Sequence, residues 1–416
     1  MTPGFYIIMA AQFFSALGDS ALLIAAIAIL RDMQAPAAYE PLLKLFFTVS
    51  YVVLAAFVGA FADSMPKWRV MLISNGVKVL GCGMMFFGVH PLLAYAIVGL
   101  GAAAYSPAKY GILTELLPAR LLVVANGWIE GLTVAAIVIG TLVGGLLIEP
   151  GFVGKMLAFN IPGIDTRGEL AISIIAVLYA VAAIINLRIP DTGVDHKPLH
   201  SGPIYLMHEF VHCSRLLWRD RLGQITLAVT SLFWGAGATL QFIVIKWGEE
   251  NLHLSLSKAS MIQGVFALGV ALGSILAARI ISMRQSISVL PVGIAMGLIV
   301  NVMIFVHDIR LAMFLMVIIG TLAGFFVVPM NALLQHRGHI LMGAGHSIAV
   351  QNFNENLSIL VMTGLYALLI WGGLSVHAVI VMFGVFIAAT IFLVKLRHEA
   401  NQRERDSVSQ LDDCRH

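Results

Sequence analysis

The chain has 416 residues, 59% of them hydrophobic and 11% charged, and a mean hydropathy of +0.92. A soluble domain carries about 25% charged residues, so this composition excludes an ordinary soluble protein and predicts a membrane one. The net charge of +3 implies no nucleic-acid binding, and the three scattered cysteines (Cys82, Cys213 and Cys414) have neither pairing nor metal-ligand spacing.

The first apolar run begins at Phe5, lacks a basic leader and continues past Asp19 to Leu30. It is too long for a signal-peptide core and reads as the first span. A bilayer core of ~30 Å takes about 20 apolar residues per helix. Further runs lie near 42–62, 70–89, 92–113, 121–148, 170–189, 222–246, 259–281, 287–306, 311–334, 343–371 and 375–396. They predict an all-α membrane protein with twelve transmembrane helices. The polar connection 190–221 divides these six and six, into an N-terminal half at 1–189 and a C-terminal half at 222–396, with a tail at 397–416. Seventeen of the 25 Lys and Arg fall on the side of that connection and of both termini, seven on the other, and Lys78 stays within the membrane. The positive-inside rule then puts both termini, the connection and the tail in the cytoplasm.

The turn after span 2 reads Gly59-Ala-Phe-Ala-Asp63-Ser-Met-Pro66-Lys67-Trp68-Arg69. It resembles the cytoplasmic signature of the major facilitator superfamily, Gly-x-x-x-Asp-x-x-Gly-basic-basic, with Pro66 replacing the second glycine and Trp68 one basic position. Asp63 is expected to cap the start of span 3 and to pair with Arg69 or with the positive end of a neighbouring helix. The equivalent place in the second half, Gly273 to Arg279, keeps the glycine and loses the acid.

Two stretches about two hundred residues apart echo each other. In the first, Gly101 to Gly111 closes a span through Pro107, and Asn126 and Glu130 lie early in the next. In the second, Gly324 to Asn331 closes a span through Pro329, and Asn352 and Glu355 lie in its successor. Parallel repeats of this kind are the pattern of a transporter. Lys109 follows Pro107 at the end of span 4, and Arg337, with His336 and His339, falls in the matching connection after span 10. Salt bridges from these connections are expected to close a cytoplasmic gate, which makes Asp63, Arg69, Lys109 and Arg337 the gating candidates. A snorkelling lysine is the alternative for Lys109.

Charges at bilayer depth cost ~2.5–3.5 kcal/mol each even on the lenient insertion scale. There are four here, Asp19, Lys78, Glu130 and Glu355. Three acids and one base cannot all pair with one another, so some acids must face water, share protons or meet a ligand. A structural bridge from Lys78 to Glu130 is one reading. Asp19 has small neighbours, Gly18 and Ser20, and suits a helix lining a cavity; Glu355 and the asparagines at 352, 354 and 356 form a polar patch that needs partners.

Five stretches in order are similar to the bacterial lysophospholipid transporter (LplT) family. They are Phe14 to Leu23 around Asp19, Ala103-Ala-Tyr-Ser-Pro-Ala-Lys109-Tyr-Gly-Ile-Leu113, Ser231 to Gly237, Gly324 to Gln335, and Ala349 to Asn352. The resemblance runs through all twelve spans. It implies a major facilitator fold with two six-helix halves related by a parallel pseudo-repeat, and inward flipping of lysophosphatidylethanolamine and related lysolipids across the bacterial inner membrane. It also implies reacylation by an acyltransferase–acyl carrier protein synthetase as functional partner, and places Asp19 and Lys109 in the transport and gating set. Gln241 stands where family members carry a basic residue, which puts a headgroup scheme needing an arginine on span 7 in doubt. In such a scheme Asp19 meets the ammonium, Lys78 or Gln241 meets the phosphate, and membrane lipid borders an apolar crevice for the acyl chain. Glu130, Asn352 and Glu355 complete the substrate-path candidates. No catalytic residue, cofactor or metal is implied, and neither His-x-x-x-x-Asp nor Gly-x-Ser-x-Gly occurs. The competing function on this fold is a proton-coupled exporter of drugs or siderophores, with Asp19 or Glu130 carrying the proton.

Overall fold

A computed structural model describes residues 2–36, 39–149, 156–157, 163–196, 202–254 and 256–404. The last twelve residues of the expected tail, including Cys414, lie outside them. All regular structure among the described residues is helical. In chain order the helices are α1 (Pro3–Asp32), α2 (Tyr39–Val53), α3 (Ala55–Asp63), α4 (Lys67–Phe86), α5 (Pro91–Leu116), α6 (Ala119–Leu146) and α7 (Arg167–Asn186). There follow α8 (Pro203–Arg219), α9 (Gly223–Asn251), α10 (Leu256–Ile280), α11 (Leu290–Val300), α12 (Ile309–Met342), α13 (Ala344–Trp371) and α14 (Val376–Glu404), with single 3-10 segments on either side of α11.

Among the described residues, eleven stretches are long and apolar enough to cross a membrane. The pair α2–α3, bent by 63° at Leu54, makes a twelfth if counted as one span. Each expected span is therefore represented. Only helices satisfy every backbone group within the segment, which is why a chain so apolar takes this form.

Local chemistry sets the helix ends. Thr166 and Glu169 form a reciprocal capping box at the start of α7. Asp220 accepts from the amides of Leu222 and Gly223 and so caps α9. Gly343, at φ +97, supplies the left-handed turn between α12 and α13. Pro329 does not close its helix as the sequence suggested. It sits inside α12, which runs on to Met342, so His336, Arg337 and His339 lie on the last turns of α12 and not in a connection. Membrane helices tolerate an interior proline because neighbouring groups take up the freed backbone.

The chain forms two compact units. The first comprises Met1–Leu116, Ala135–Val211 and Met342–Asn352; the second comprises Leu117–Val134, His212–Leu341 and Phe353–His416. The start of α13 thus belongs to the first unit, and the start of α6 to the second. In the first unit a core of Ala21, Leu22, Ala25, Cys82, Tyr95, Val98, Ile175 and Tyr179 joins α1, α4, α5 and α7. In the second, α10 and α12 touch through glycines: a Cβ at Gly273 would lie 2.0 Å from the Thr321 carbonyl oxygen, and one at Gly324 2.1 Å from that of Val270. Such contacts hold membrane helices together where no hydrophobic drive exists between them.

Candidate functional site

The face of α1 that carries Gln12, Ser15 and Asp19 repeats at i, i+3 and i+7, so these side chains stand in one row. On α4, Asn75 and Lys78 share a face in the same way. Helices α1 and α4 both pack on α7, and side chains reaching from one to the other close a polar cluster inside the first unit. The Lys78 ammonium lies 2.8 Å from both carboxylate oxygens of Asp19 and 3.0 Å from Ser15 Oγ. Ser15 donates onward to Asn75 Oδ1 at 2.9 Å, and the Tyr179 hydroxyl, from α7, donates to Asp19 at 2.8 Å. The rings of Tyr105 and Tyr179 flank the ammonium at 5.1 and 5.3 Å from their centroids. Gly18 permits this approach, since a Cβ there would meet the Tyr179 ring at 2.8 Å.

The pair is unequally buried: the Lys78 side chain is 1% exposed and that of Asp19 25%. Asp19 is wetter because it borders a cavity of about 60 Å³ lined also by Gln12, Ser15, Tyr51, Lys78, Tyr105, Ser106 and Lys109. That volume holds a few waters and not a lipid headgroup. Among the described residues, Asn75 Nδ2 is buried without a hydrogen-bond partner. The arrangement presents a carboxylate to a cation and ammonium donors to an anion, within a few ångströms of each other.

The structure corrects the reading of Lys78 as the partner of Glu130, because its partner is Asp19. Glu130 lies in the second unit, where Asn331 approaches it at 3.5 Å. Lys109 stacks over Tyr110 at 4.2 Å and lines the cavity with Asp19 and Lys78. Asn352 donates to the cavity residue Ser106 at 2.9 Å, so it backs the same wall. Gln241 exchanges hydrogen bonds with Gln263, at 3.0 and 2.8 Å, in the second unit, and Glu355 is buried there on α13. Asn126 and Gln335 form a reciprocal amide pair at 2.9 and 3.0 Å.

Of the gating candidates, Asp63 is the most heavily engaged. It accepts from Lys67 at 2.8 Å, from the amides of Gly345 and His346 at 2.7 and 3.0 Å, and contacts His346 Nδ1 at 2.7 Å. It therefore caps the positive end of α13 and does not cap α4, and Arg69 lies instead over the Trp68 ring at 5.1 Å. Lys67 is held by Glu115 as well, at 3.2 Å. Arg337 forms a bidentate pair with Asp220, one arm at 3.2 Å, inside the second unit. Sequence reasoning missed Ser15, Asn75, Tyr179 and His346. Their partners lie 60 residues or more away in sequence, and only Ser15, inside the Asp19 stretch, and Asn75, one turn before Lys78, carried any local signal.

Comparison with known proteins adds three findings. A family model described as Major Facilitator Superfamily matches residues 8–361. The lysophospholipid transporter LplT of Yersinia enterocolitica is 40% identical over 379 residues, covering 91% of this chain and 90% of that one. Among solved structures, the human organic anion transporter MFSD10 superposes with a TM-score of 0.72 at 14% identity, covering 95% of this chain and all of that one. The major facilitator transporter FucP, in an outward conformation, gives 0.73 at 11%, covering 95% and 99%. Likeness at such identities concerns the fold alone.

Proposed function

Because the chain belongs to the LplT family of the Major Facilitator Superfamily, we propose that it carries lysophospholipids across the membrane. The observation that carries this reading is the Asp19–Lys78 pair beside a polar cavity, in a chain 40% identical to a named lysophospholipid transporter over nine-tenths of its length. A lysolipid's acyl chain is at home in hydrocarbon; its zwitterionic head is the barrier. Asp19 takes the ammonium, and Lys78, with Lys109 at the same cavity, takes the phosphate through charge-assisted hydrogen bonds. Tyr179 and Ser15 keep the two charges in place between transport events. The cavity widens to admit the head, since its present volume holds only water.

In this scheme Asn352 holds Ser106 in the cavity wall, and Glu130, Gln241 and Glu355 also serve substrate transport. Asp63, Arg69, Lys109 and Arg337 act in gating, Asp63 through its hold on the first turn of α13. The two sequence halves, 1–189 and 222–396, are the repeated bodies, joined by a cytoplasmic linker at 190–221 and followed by a cytoplasmic tail. Lysophosphatidylethanolamine moves inward across the bacterial inner membrane, and an acyltransferase–acyl carrier protein synthetase reacylates it on the cytoplasmic side.

The test is uptake of labelled lysophosphatidylethanolamine into cells lacking their own transporter, with and without an uncoupler. Uptake that depends on this chain supports the proposal. No lysolipid uptake, with proton-driven movement of a small hydrophilic dye instead, replaces it with an exporter.

A further inference from the structure

Helix α8 has a composition unlike the spans around it. Ile204, Met207, Val211 and Trp218 are 73%, 56%, 43% and 42% exposed. They recur at i, i+3, i+7 and i+14 and so form one outward stripe. His208, His212, Arg215 and Arg219, all exposed, form the neighbouring strip. Leu206, Cys213 and Leu217 are buried and point well away from both. A soluble surface helix has one apolar face, turned to the core; α8 has that face and a second one left outside.

The second face has a place to go. Arg219 is four residues before Gly223, where the span α9 begins. Asp220, between them, is fixed by the α9 amides and by Arg337. The C-terminal end of α8 is therefore tied to a segment entering the bilayer, and the helix stays at membrane depth or just outside it. Apolar and basic strips side by side match the layering of a leaflet, acyl chains below and anionic phosphates above.

We propose that α8 is a monotopic surface helix. It sinks Ile204, Met207, Val211 and Trp218 into the leaflet on its side of the membrane, and its Arg215 and Arg219 bind anionic phospholipid headgroups there. The full-length protein is reconstituted in nanodiscs of phosphatidylethanolamine with phosphatidylglycerol, with Cys414→Ser leaving only the buried Cys82 and Cys213. Spin labels go at Met207→Cys and, separately, at His212→Cys. The label at 207 should relax with oxygen, which concentrates in lipid, and the label at 212 with an aqueous nickel complex. Brominated phosphatidylglycerol should quench Trp218 fluorescence, taken as the difference from Trp218→Phe. Its advantage over brominated phosphatidylcholine should fall roughly five-fold per arginine in Arg215→Gln/Arg219→Gln and survive in Arg215→Lys/Arg219→Lys. A label at 207 as water-accessible as that at 212 overturns the proposal. So does shielding of both labels from both reagents, which means protein covers the helix, or a lipid preference unchanged by the glutamines.

Discussion

Neutralising Asp19 is the sharpest test of the ion pair. In Asp19→Asn the Lys78 ammonium loses its counter-charge while staying buried. It keeps Ser15 Oγ at 3.0 Å, the two flanking rings and one neutral amide oxygen in place of the carboxylate. Breaking a buried pair from one side costs about 3–5 kcal/mol, and the rings offset about 2 kcal/mol at most when desolvated. A loss of about 1–3 kcal/mol is therefore expected where that offset is full. Lys78→Met should cost less, because Asp19 is a quarter exposed towards the cavity and keeps the Tyr179 hydroxyl. The double variant removes both charges and should regain most of the stability, leaving a coupling energy that a double-mutant cycle isolates. Unfolding midpoints of the purified variants give the order, and labelled lysophosphatidylethanolamine uptake gives the function. All three variants should transport poorly, the stable double variant included. A double variant that is stable and transports normally refutes the reasoning, since the pair is then scaffold alone.

At the other end of the first unit, Asp63→Asn leaves the α13 amides and Lys67 with weaker acceptors. It should lower stability by about 1–2 kcal/mol in thermal melts and reduce uptake, whereas Arg69→Gln should stay within about 0.5 kcal/mol. Gly324→Ala forces a methyl against the Val270 carbonyl at 2.1 Å and should cut folded yield on size-exclusion chromatography. Gly264→Ala, with no atom within 4 Å, should not. For topology, cysteine at Gly202 should be protected from an impermeant thiol reagent in intact cells and cysteine at Asp165 should react; the opposite pattern reverses the orientation.

Apolar run length made the spans legible, because each membrane helix satisfies its own backbone and needs no partner to be recognised. The bend at Leu54 and the passage of α12 through Pro329 were not legible, since both depend on what neighbouring helices accept. Within the site, Asp19 and Lys78 announced themselves as charges where charge is costly, and Lys109 by following Pro107 at the end of span 4. The pairing of Lys78 did not, for the sequence offered Glu130 as its bridge, and the packing of α1 and α4 on α7 is what brings Asp19 to it instead. Tyr179 read as one more apolar-span residue until its hydroxyl was seen on Asp19. Asp63 was read correctly as meeting a positive helix end, but which helix follows from residues 342–352 belonging to the first unit.

The Asp19–Lys78 pair also has an electrical consequence. Its net charge is zero, as is that of a phosphoethanolamine head. Swapping internal partners for the lipid's own charges leaves the site's total unchanged, loaded or empty. A transmembrane voltage does about 2.3 kcal/mol of work per elementary charge per 100 mV, and on this neutral pair it has nothing to act on, which leaves it the Lys109 ammonium at the cavity wall. Moving such a lipid through this site generates no current from these groups. A lysolipid with a glycerol head brings one uncompensated negative charge, and its passage alone would sense the membrane potential.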